Sequence, residues 1–361
     1  MPRPTINDVA LAAGVSKGAV SFALHDRPGV APATRERILN VARELGWTPS
    51  ARARALSVSK ALAVGLVMAR RPDTLRADPF FPSFIAGVES VLSDHGYALL
   101  LQMVSDPDRE RQSYRRLASE GRVDGVFVTD LLVADERPEL LSEIGLPAVI
   151  LGPGNKNPYW PVVGADDAPG IVAAVEHLLA LGHTRIAHVG GPSAVVHGVS
   201  RREAWCGTLR AAGLPDAPFV ETDFSAESGA AATRHLLDLD EPPTAVIYAN
   251  DLMAMAGLSL AVSRGIDVPG RLSIVGFDDT EIAAHLQPAL TSVRQDAIAW
   301  GRAAATRLLE LIDGTDPTPV ELAPAALVIR ASTGPANSGA AYAAPSPRRR
   351  STTERARMEK Q

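Results

Sequence analysis

Hydrophobic positions along the chain follow two textures, which meet near residue 61. Up to residue 46 apolar residues recur at helical spacing in three short bursts. Ile6, Val9, Ala10 and Ala13 form one side of a first helix that Thr5 can cap, with Asp8 three residues on. Gly14 then supplies a left-handed exit. Ser16 is the next cap, and Val20 and Leu24, with Ala19 and Ala23 beside them, make the inner face of a second helix. A third runs from about Pro32 on Thr34, Ile38, Ala42 and Leu45 and stops at Gly46. Ala31 stands where Ser or Asp would cap it better. Residues 47–60, "WTPSARARALSVSK", hold a further helix start at Thr48 and Pro49. Only about two turns follow, fewer than the ~12 residues at which an isolated helix is marginal in water. This linker is expected to be disordered unless something holds it.

From residue 61 short apolar runs alternate with amphipathic stretches. The strand-like runs are "LAVGLVM", "YALLLQM", "VDGVFVT", "PAVIL", "PVVGA", "RIAHVG", "TAVIYA", "LSIVGF" and "ALTSV". Between them lie helical patterns such as "SFIAGVESVLSDHG", "GIVAAVEHLLALG" and "DLMAMAGLSLAVSRG". That order predicts βαβ units and parallel sheets. The span 61–334 is long enough for two similar subdomains with ligand space outside the C-terminal ends of their strands. The tail, 335–361, is poor in apolar residues and is expected to be disordered.

Charge sharpens this division. Of the net −5, residues 1–60 carry +5, residues 61–334 carry −14 and the tail carries +4. A basic front on an acidic body is the footprint of a local anionic partner. No apolar run reaches the ~18 residues of a membrane span, and the N-terminus lacks the pattern of a secretory signal. Cys206 is the only cysteine, which suits a reducing cytoplasm.

A helix, a glycine turn and a second helix make a helix-turn-helix, whose second helix enters the DNA major groove. In "GVSKGAVSFALHDRPGV" Lys17, Ser21, Phe22 and His25 occupy a face with no core to cover. Lys17 can reach guanine acceptors or phosphate, and Phe22 a thymine methyl. Gly18 and Ala19 are small where the helix N-terminus lies against DNA.

The stretches "TINDVALAAGVSKGAVSFAL" and "TRERILNVARELGWTPSARARAL" resemble the headpiece of the lactose/galactose repressor (LacI-type) family. The similarity continues through "GHTRIAHVGG", "YANDLMAMAGLSLAVSRGIDVPGRLSIVGFDDT" and "PALTSVRQD" to about residue 333. The resemblance implies an all-α helix-turn-helix headpiece at 1–46, a hinge at 47–60, and an α/β periplasmic-binding-protein-like body of two parallel-sheet subdomains at 61–334. It implies a cytoplasmic transcriptional regulator that binds a near-palindromic operator in double-stranded DNA as a homodimer. By the same resemblance Lys17, Gly18 and Phe22 read bases, with Thr5, Ser16, Ser21 and His25 around them. Phe22 stands where the family often has Arg. Pro49, Ala53, Arg54 and Leu56 match the hinge, although Ser50 replaces a common Asn, and Leu56 matches a wedge that unstacks a base step in the minor groove.

In the body the resemblance places Phe80, Phe81, Asp166, Arg201, Asn250 and Asp278 at an effector cleft. A sugar is the leading effector, with a nucleobase or nucleoside open because such a cleft also takes planar rings. Arg201 and Asp278 have an alternative role as structural salt-bridge residues, and Asp251 one as a helix N-terminal charge. A transport-type sugar-binding protein of the same body fold would need an export signal and no residues 1–60. An enzyme is disfavoured. Adjacent Asp278 and Asp279 would face opposite ways on a strand, and no phosphate-binding glycine motif is present. "SVSK" at 57–60 lies in the linker with no catalytic context. The histidines show no ligand spacing, so neither metal nor cofactor is expected.

Overall fold

A computed structural model describes residues 4–24, 28–47, 60–70, 80–153, 157–215, 217–316 and 318–337. His25, the hinge residues Ala53, Arg54 and Leu56, and the expected disorder of residues 48–59 and 338–361 therefore lie outside the described residues. The first three residues of the expected tail are described, and there the Ala336 N–H donates to the Leu181 carbonyl at 2.8 Å, so the body runs past residue 334. The chain divides into two compact units, Met1–Leu62 and Ala63–Gln361.

The first unit holds α1 (Ile6–Ala13), α2 (Lys17–Leu24) and α3 (Pro32–Glu44). Their apolar faces close on Val9, Ala10, Ala13, Val20, Ala23, Ile38 and Ala42. The Asp8 carboxylate accepts from the Thr5 N–H at 2.7 Å and from its hydroxyl at 2.8 Å, which fixes the entry to α1. Gly14 leaves α1 at φ 64°, and the Ser16 hydroxyl caps α2 by accepting from the Ala19 N–H at 3.2 Å. Ala31 gives α3 no side-chain cap, and Pro32 at its start needs no N–H partner. Leu45 is a correction: it follows the last turn of α3, points away from the core and is exposed.

Among the described residues the second unit contains two six-stranded sheets. The first has the order β11-β5-β4-β3-β1-β2, and its strands are β1 (Ala63–Met68), β2 (Ala98–Met103), β3 (Gly125–Val128), β4 (Ala148–Leu151), β5 (Val162–Gly164) and β11 (Val320–Glu321). The second has the order β12-β10-β9-β8-β6-β7, with β6 (Ile186–Gly190), β7 (Phe219–Glu221), β8 (Ala245–Tyr248), β9 (Ser273–Asp278), β10 (Thr291–Arg294) and β12 (Ala326–Val328). All pairings are parallel except β10 with β12. All nine strand-like runs of the sequence become strands. The three without such a run, β7, β11 and β12, are two or three residues long, too short to show alternation.

Helices α4 (Phe80–Leu92), α5 (Pro107–Ser119) and α6 (Arg137–Glu143) accompany the first sheet. Helices α7 (Ala168–Ala180), α8 (Val196–Ala211), α9 (Ala226–Leu237) and α10 (Asp251–Ser263) accompany the second. The chain crosses from the first sheet to the second after β5. It returns after β10 through α11 (Ala297–Ile312), and crosses again between β11 and β12. α11 packs tightly on α4 in the first subdomain: a Cβ on Gly87 would lie 2.2 Å from the Ile298 carbonyl oxygen, and one on Gly301 2.1 Å from that of Phe84. Only glycine permits that approach. None of the described helices is long and apolar enough to cross a membrane.

Candidate functional site

In the first unit, the face of α2 opposite Val20 and Ala23 presents Lys17 and Gly18, both exposed, and Phe22, 42% exposed. Ser21 beside them is half-buried. A Cβ on Gly18 would meet only the Ser16 hydroxyl, at 3.7 Å. Packing within the unit therefore does not require glycine there. Thr5 and Ser16 are exposed at the starts of α1 and α2, their hydroxyls engaged in the caps already described.

In the second unit a cavity of about 80 Å³ lies between the subdomains at the C-terminal ends of the strands. Phe80, Phe81, Arg201, Asn250 and Asp278 all line it. Asp166 does not: it is exposed, and its carboxylate accepts from the Ala168 N–H at the start of α7. Asp167 lines the cavity instead and is buried. The chain turns there from β5 into the first crossover, so a shift of one residue decides which carboxylate faces inward.

Several polar groups of the wall are held by neighbours. Arg201 is buried, with its Nε and a terminal nitrogen both 2.8 Å from Asp167 Oδ2 and the other terminal nitrogen donating to the Ala249 carbonyl at 2.7 Å. Its guanidinium lies 3.6 Å from the centre of the Phe277 ring. It is both an ion-pair residue and a wall of the cavity. Asn250 caps α10 by accepting from the Met253 N–H at 2.8 Å and donates to the Phe224 carbonyl at 3.0 Å. Asp278 accepts from the Gln295 amide at 2.6 Å. On the opposite wall Arg70 grips Asp130 through two contacts of 2.5 and 2.6 Å. Burial opposes ionisation of Asp130, but that guanidinium outweighs it and holds the carboxyl below its ordinary value.

Aromatic surface completes the cavity. Phe80 stacks on Phe84 and meets Trp300 edge-on, at centroid distances of 5.9 Å in both cases. His197 stacks on Phe224 at 5.4 Å. Burial pushes the His197 imidazole down to about 4, so it is neutral near pH 7. Asp130, Phe224 and Asp278 all line the cavity with left-handed φ of 49°, 65° and 107°. Side chains other than glycine adopt such angles only under constraint, and they gather where a site needs them.

The subdomains also touch directly beside the cavity. The Val196 N–H donates to the Leu131 carbonyl at 2.8 Å, and the Val133 N–H to the Ala194 carbonyl at 3.0 Å. These bonds flank an antiparallel bridge between Leu132 and Val195. Sequence reasoning missed Arg70, Asp130, Asp167, His197, Phe224 and Trp300. A usable signal existed for some of these: Arg70, Asp130, Asp167 and Phe224 lie two or three residues beyond the ends of β1, β3, β5 and β7.

Comparison with known proteins agrees with both halves. The description "Bacterial regulatory proteins, lacI family" matches residues 5–50, and "Periplasmic binding protein-like domain" matches residues 175–333. The regulator CelR of Thermobifida fusca is 36% identical over 324 residues, covering 89% of this chain and 95% of CelR. The chain belongs to the LacI family. Another member, the repressor CytR of Escherichia coli K12, is 32% identical, with 86% of this chain and 90% of CytR covered. Among solved structures, the lac repressor dimer bound to operator and the anti-inducer ONPF matches at a TM-score of 0.82 and 28% identity. That match covers 92% of this chain and all of the repressor chain. A CelR–cellobiose complex matches at 0.69 and 34% identity, covering 91% of this chain and all of the CelR chain. This LacI-family member is a DNA-binding, ligand-responsive transcriptional regulator, and its relatives are regulators rather than enzymes. Among the described residues no cluster of His, Cys, Asp or Glu could hold a metal ion.

Proposed function

We propose that this LacI-family chain is a cytoplasmic repressor that binds a near-palindromic operator as a homodimer and changes its operator affinity when a neutral saccharide fills the cavity of the second unit. The headpiece at 1–46 reads DNA through Lys17, Gly18 and Phe22, supported by Thr5, Ser16, Ser21 and His25. The hinge at 47–60 inserts Leu56 into the minor groove, with Ala53 and Arg54 beside it. The body, 61–334, holds the effector and the dimer contacts.

The observation that carries the effector class is the pairing of polar groups with aromatic walls. Arg201, Asn250 and Asp278 are fixed by protein partners, so they offer donors and acceptors in set positions. Sugar hydroxyls both donate and accept, and ring C–H faces rest on aromatic side chains such as Phe80 and Trp300. The cellobiose bound to CelR is of this class. Thermal denaturation of the full chain with cellobiose, its monosaccharide, other disaccharides and nucleosides tests the assignment, because a ligand of the folded state raises the midpoint. A shift with a saccharide supports it. A shift only with nucleosides, or with none of the panel, overturns it.

A further inference from the structure

Asp251 follows Asn250 at the start of α10 and is fully buried. The ordinary role of an acid there is to complement the helix N-terminus, yet Asn250 already caps this helix. The Asp251 oxygens go elsewhere. One accepts from the Thr280 N–H at 2.7 Å and from its hydroxyl at 2.9 Å, and the other from the Ser292 hydroxyl at 2.6 Å. Ser292 in turn accepts from the Asp279 N–H at 3.0 Å. Room for this carboxylate is made on β9, where a Cβ on Gly276 would lie 2.1 Å from Asp251 Oδ1. All these recorded donors are neutral, and burial pushes the Asp251 carboxyl up to about 6. A buried carboxylate without a cation is costly to keep, so its place calls for a use.

That use lies in the turn it brackets. Asp278 and Asp279 are consecutive residues at φ 107° and 50°. This turn sends Asp278 to the cavity and Gln295, and sends Asp279 away to Arg294 and Arg330 at 2.6 and 2.5 Å. Without anchors on Asp279 and Thr280, an extended backbone would be favoured, and a change of backbone path redirects both carboxylates. We propose that Asp251 is a positioning residue for the effector site: through Thr280 and Ser292 it holds the left-handed turn that aims the Asp278 carboxylate into the cavity. The proposal rests on the reading of that cavity as the effector site. It also joins two separate sequence motifs, Asn250-Asp251 and Gly276 to Thr280, into one physical unit.

Crystal structures of the full-length wild type and the near-isosteric Asp251→Asn variant test it without any ligand. The amide keeps the volume but loses acceptor capacity for Thr280 or Ser292. The expected result is an Asp278 that leaves Gln295 in the variant, while the Arg201–Asp167 pair stays in place. An Asp278 that keeps its position and its Gln295 contact overturns the proposal. If the variant does not fold, Ser292→Ala removes both the Asp251 contact and the acceptor of the Asp279 N–H, and the same displacement is expected. Titration with cellobiose, or the saccharide of the panel with the largest thermal shift, adds a second readout. Asp251→Asn and Asp278→Asn should each weaken it about tenfold, in line with loss of a hydrogen bond to a charged group. The double variant should be no weaker than Asp278→Asn alone. Losses that multiply overturn the proposal, since a general structural defect would act independently of Asp278. If Asp278→Asn leaves saccharide binding intact, the effector assignment fails, while the crystal structures still decide whether Asp251 holds the turn.

Discussion

Replacing Val196 with proline should loosen the closed cleft and almost nothing else. Val196 is the first residue of α8, so its N–H has no partner within the helix and proline is well tolerated at that position. The preceding Val195 sits at φ −101° and ψ 139°, the extended conformation that a residue before proline prefers. The bond from the Val196 N–H to the Leu131 carbonyl, which spans the two subdomains, is the interaction the substitution deletes. A hydrogen bond of this kind contributes about 1 kcal/mol net. In the open cleft water satisfies the Leu131 carbonyl, so the cost falls on the closed form alone. The closed-to-open ratio should then fall about fivefold, taking RT as about 0.6 kcal/mol. Hydrogen exchange at the Val133 amide reads this directly, because that amide bonds Ala194 on the same bridge and exchanges only when the bridge parts. Its protection should drop by about the same factor, with amides in the middle of α8 unaffected. Unchanged protection at Val133 would refute the reasoning, and equal losses along α8 would show that the helix, not the bridge, had been damaged.

Three further outcomes can be checked. Deleting residues 1–60 should abolish operator binding, and the full chain should bind with a steep negative dependence on salt concentration, as phosphate contacts release counterions; retention in a gel-shift titration after the deletion would contradict the DNA assignment. Gly18→Ala has open space for its methyl and should stabilise the headpiece by up to about 1 kcal/mol, whereas Gly18→Leu should weaken operator binding in the same titration. His188 is enclosed by Trp205 and Phe219, and burial pushes it down to about 4 from an ordinary 6.5. A depressed histidine contributes stability that is complete above pH 6.5 and is lost as pH falls toward 4, whereas Asp251, raised to about 6, gains as pH falls through the lower part of that window. In urea titrations at pH 6.5 and 4.5 the wild type should therefore lose more stability than His188→Leu, by roughly 2 kcal/mol; equal losses would remove His188 as a cause.

The strands and helices were legible because burial of one helix face leaves a period in the chain, and burial of both sheet faces leaves an unbroken apolar run. What was not legible follows from the same logic. β7, β11 and β12 have too few residues to carry a period, and their sheet neighbours hold them in place. Leu45 fits the helical spacing of α3 but falls after its last turn, where spacing no longer predicts direction. Asp166 and Asp167 are adjacent carboxylates at a strand exit, and only the path into α7 decides which one turns inward. Asp278 and Asp279 do face opposite ways, as alternation on a strand suggests. The cause is a left-handed turn rather than a pleat, and no local pattern announces it.

The way the cavity is held also limits what an effector can do. Contacts with Asp167 and Ala249 engage all three guanidinium nitrogens of Arg201, though not all five of its N–H groups. Arg70 is matched to Asp130, Asp278 is a further carboxylate in the wall, and His197 is neutral near pH 7. The guanidiniums of the wall are thus already balanced by carboxylates. A hydroxyl can use the remaining N–H groups without disturbing these pairs, but an anion would gain full benefit only by separating Arg201 from Asp167. Breaking one side of a buried ion pair is among the costlier changes a protein can undergo. A sugar phosphate should therefore bind more weakly than its parent sugar although arginines line the site. The same economy explains how ligand can bias the unit. The cross-cleft bonds at Val196 and Val133 exist only when the subdomains meet, and a neutral ligand that touches both walls adds its contacts to that form alone. It shifts the balance by its difference in affinity for the closed and open forms, and by nothing else.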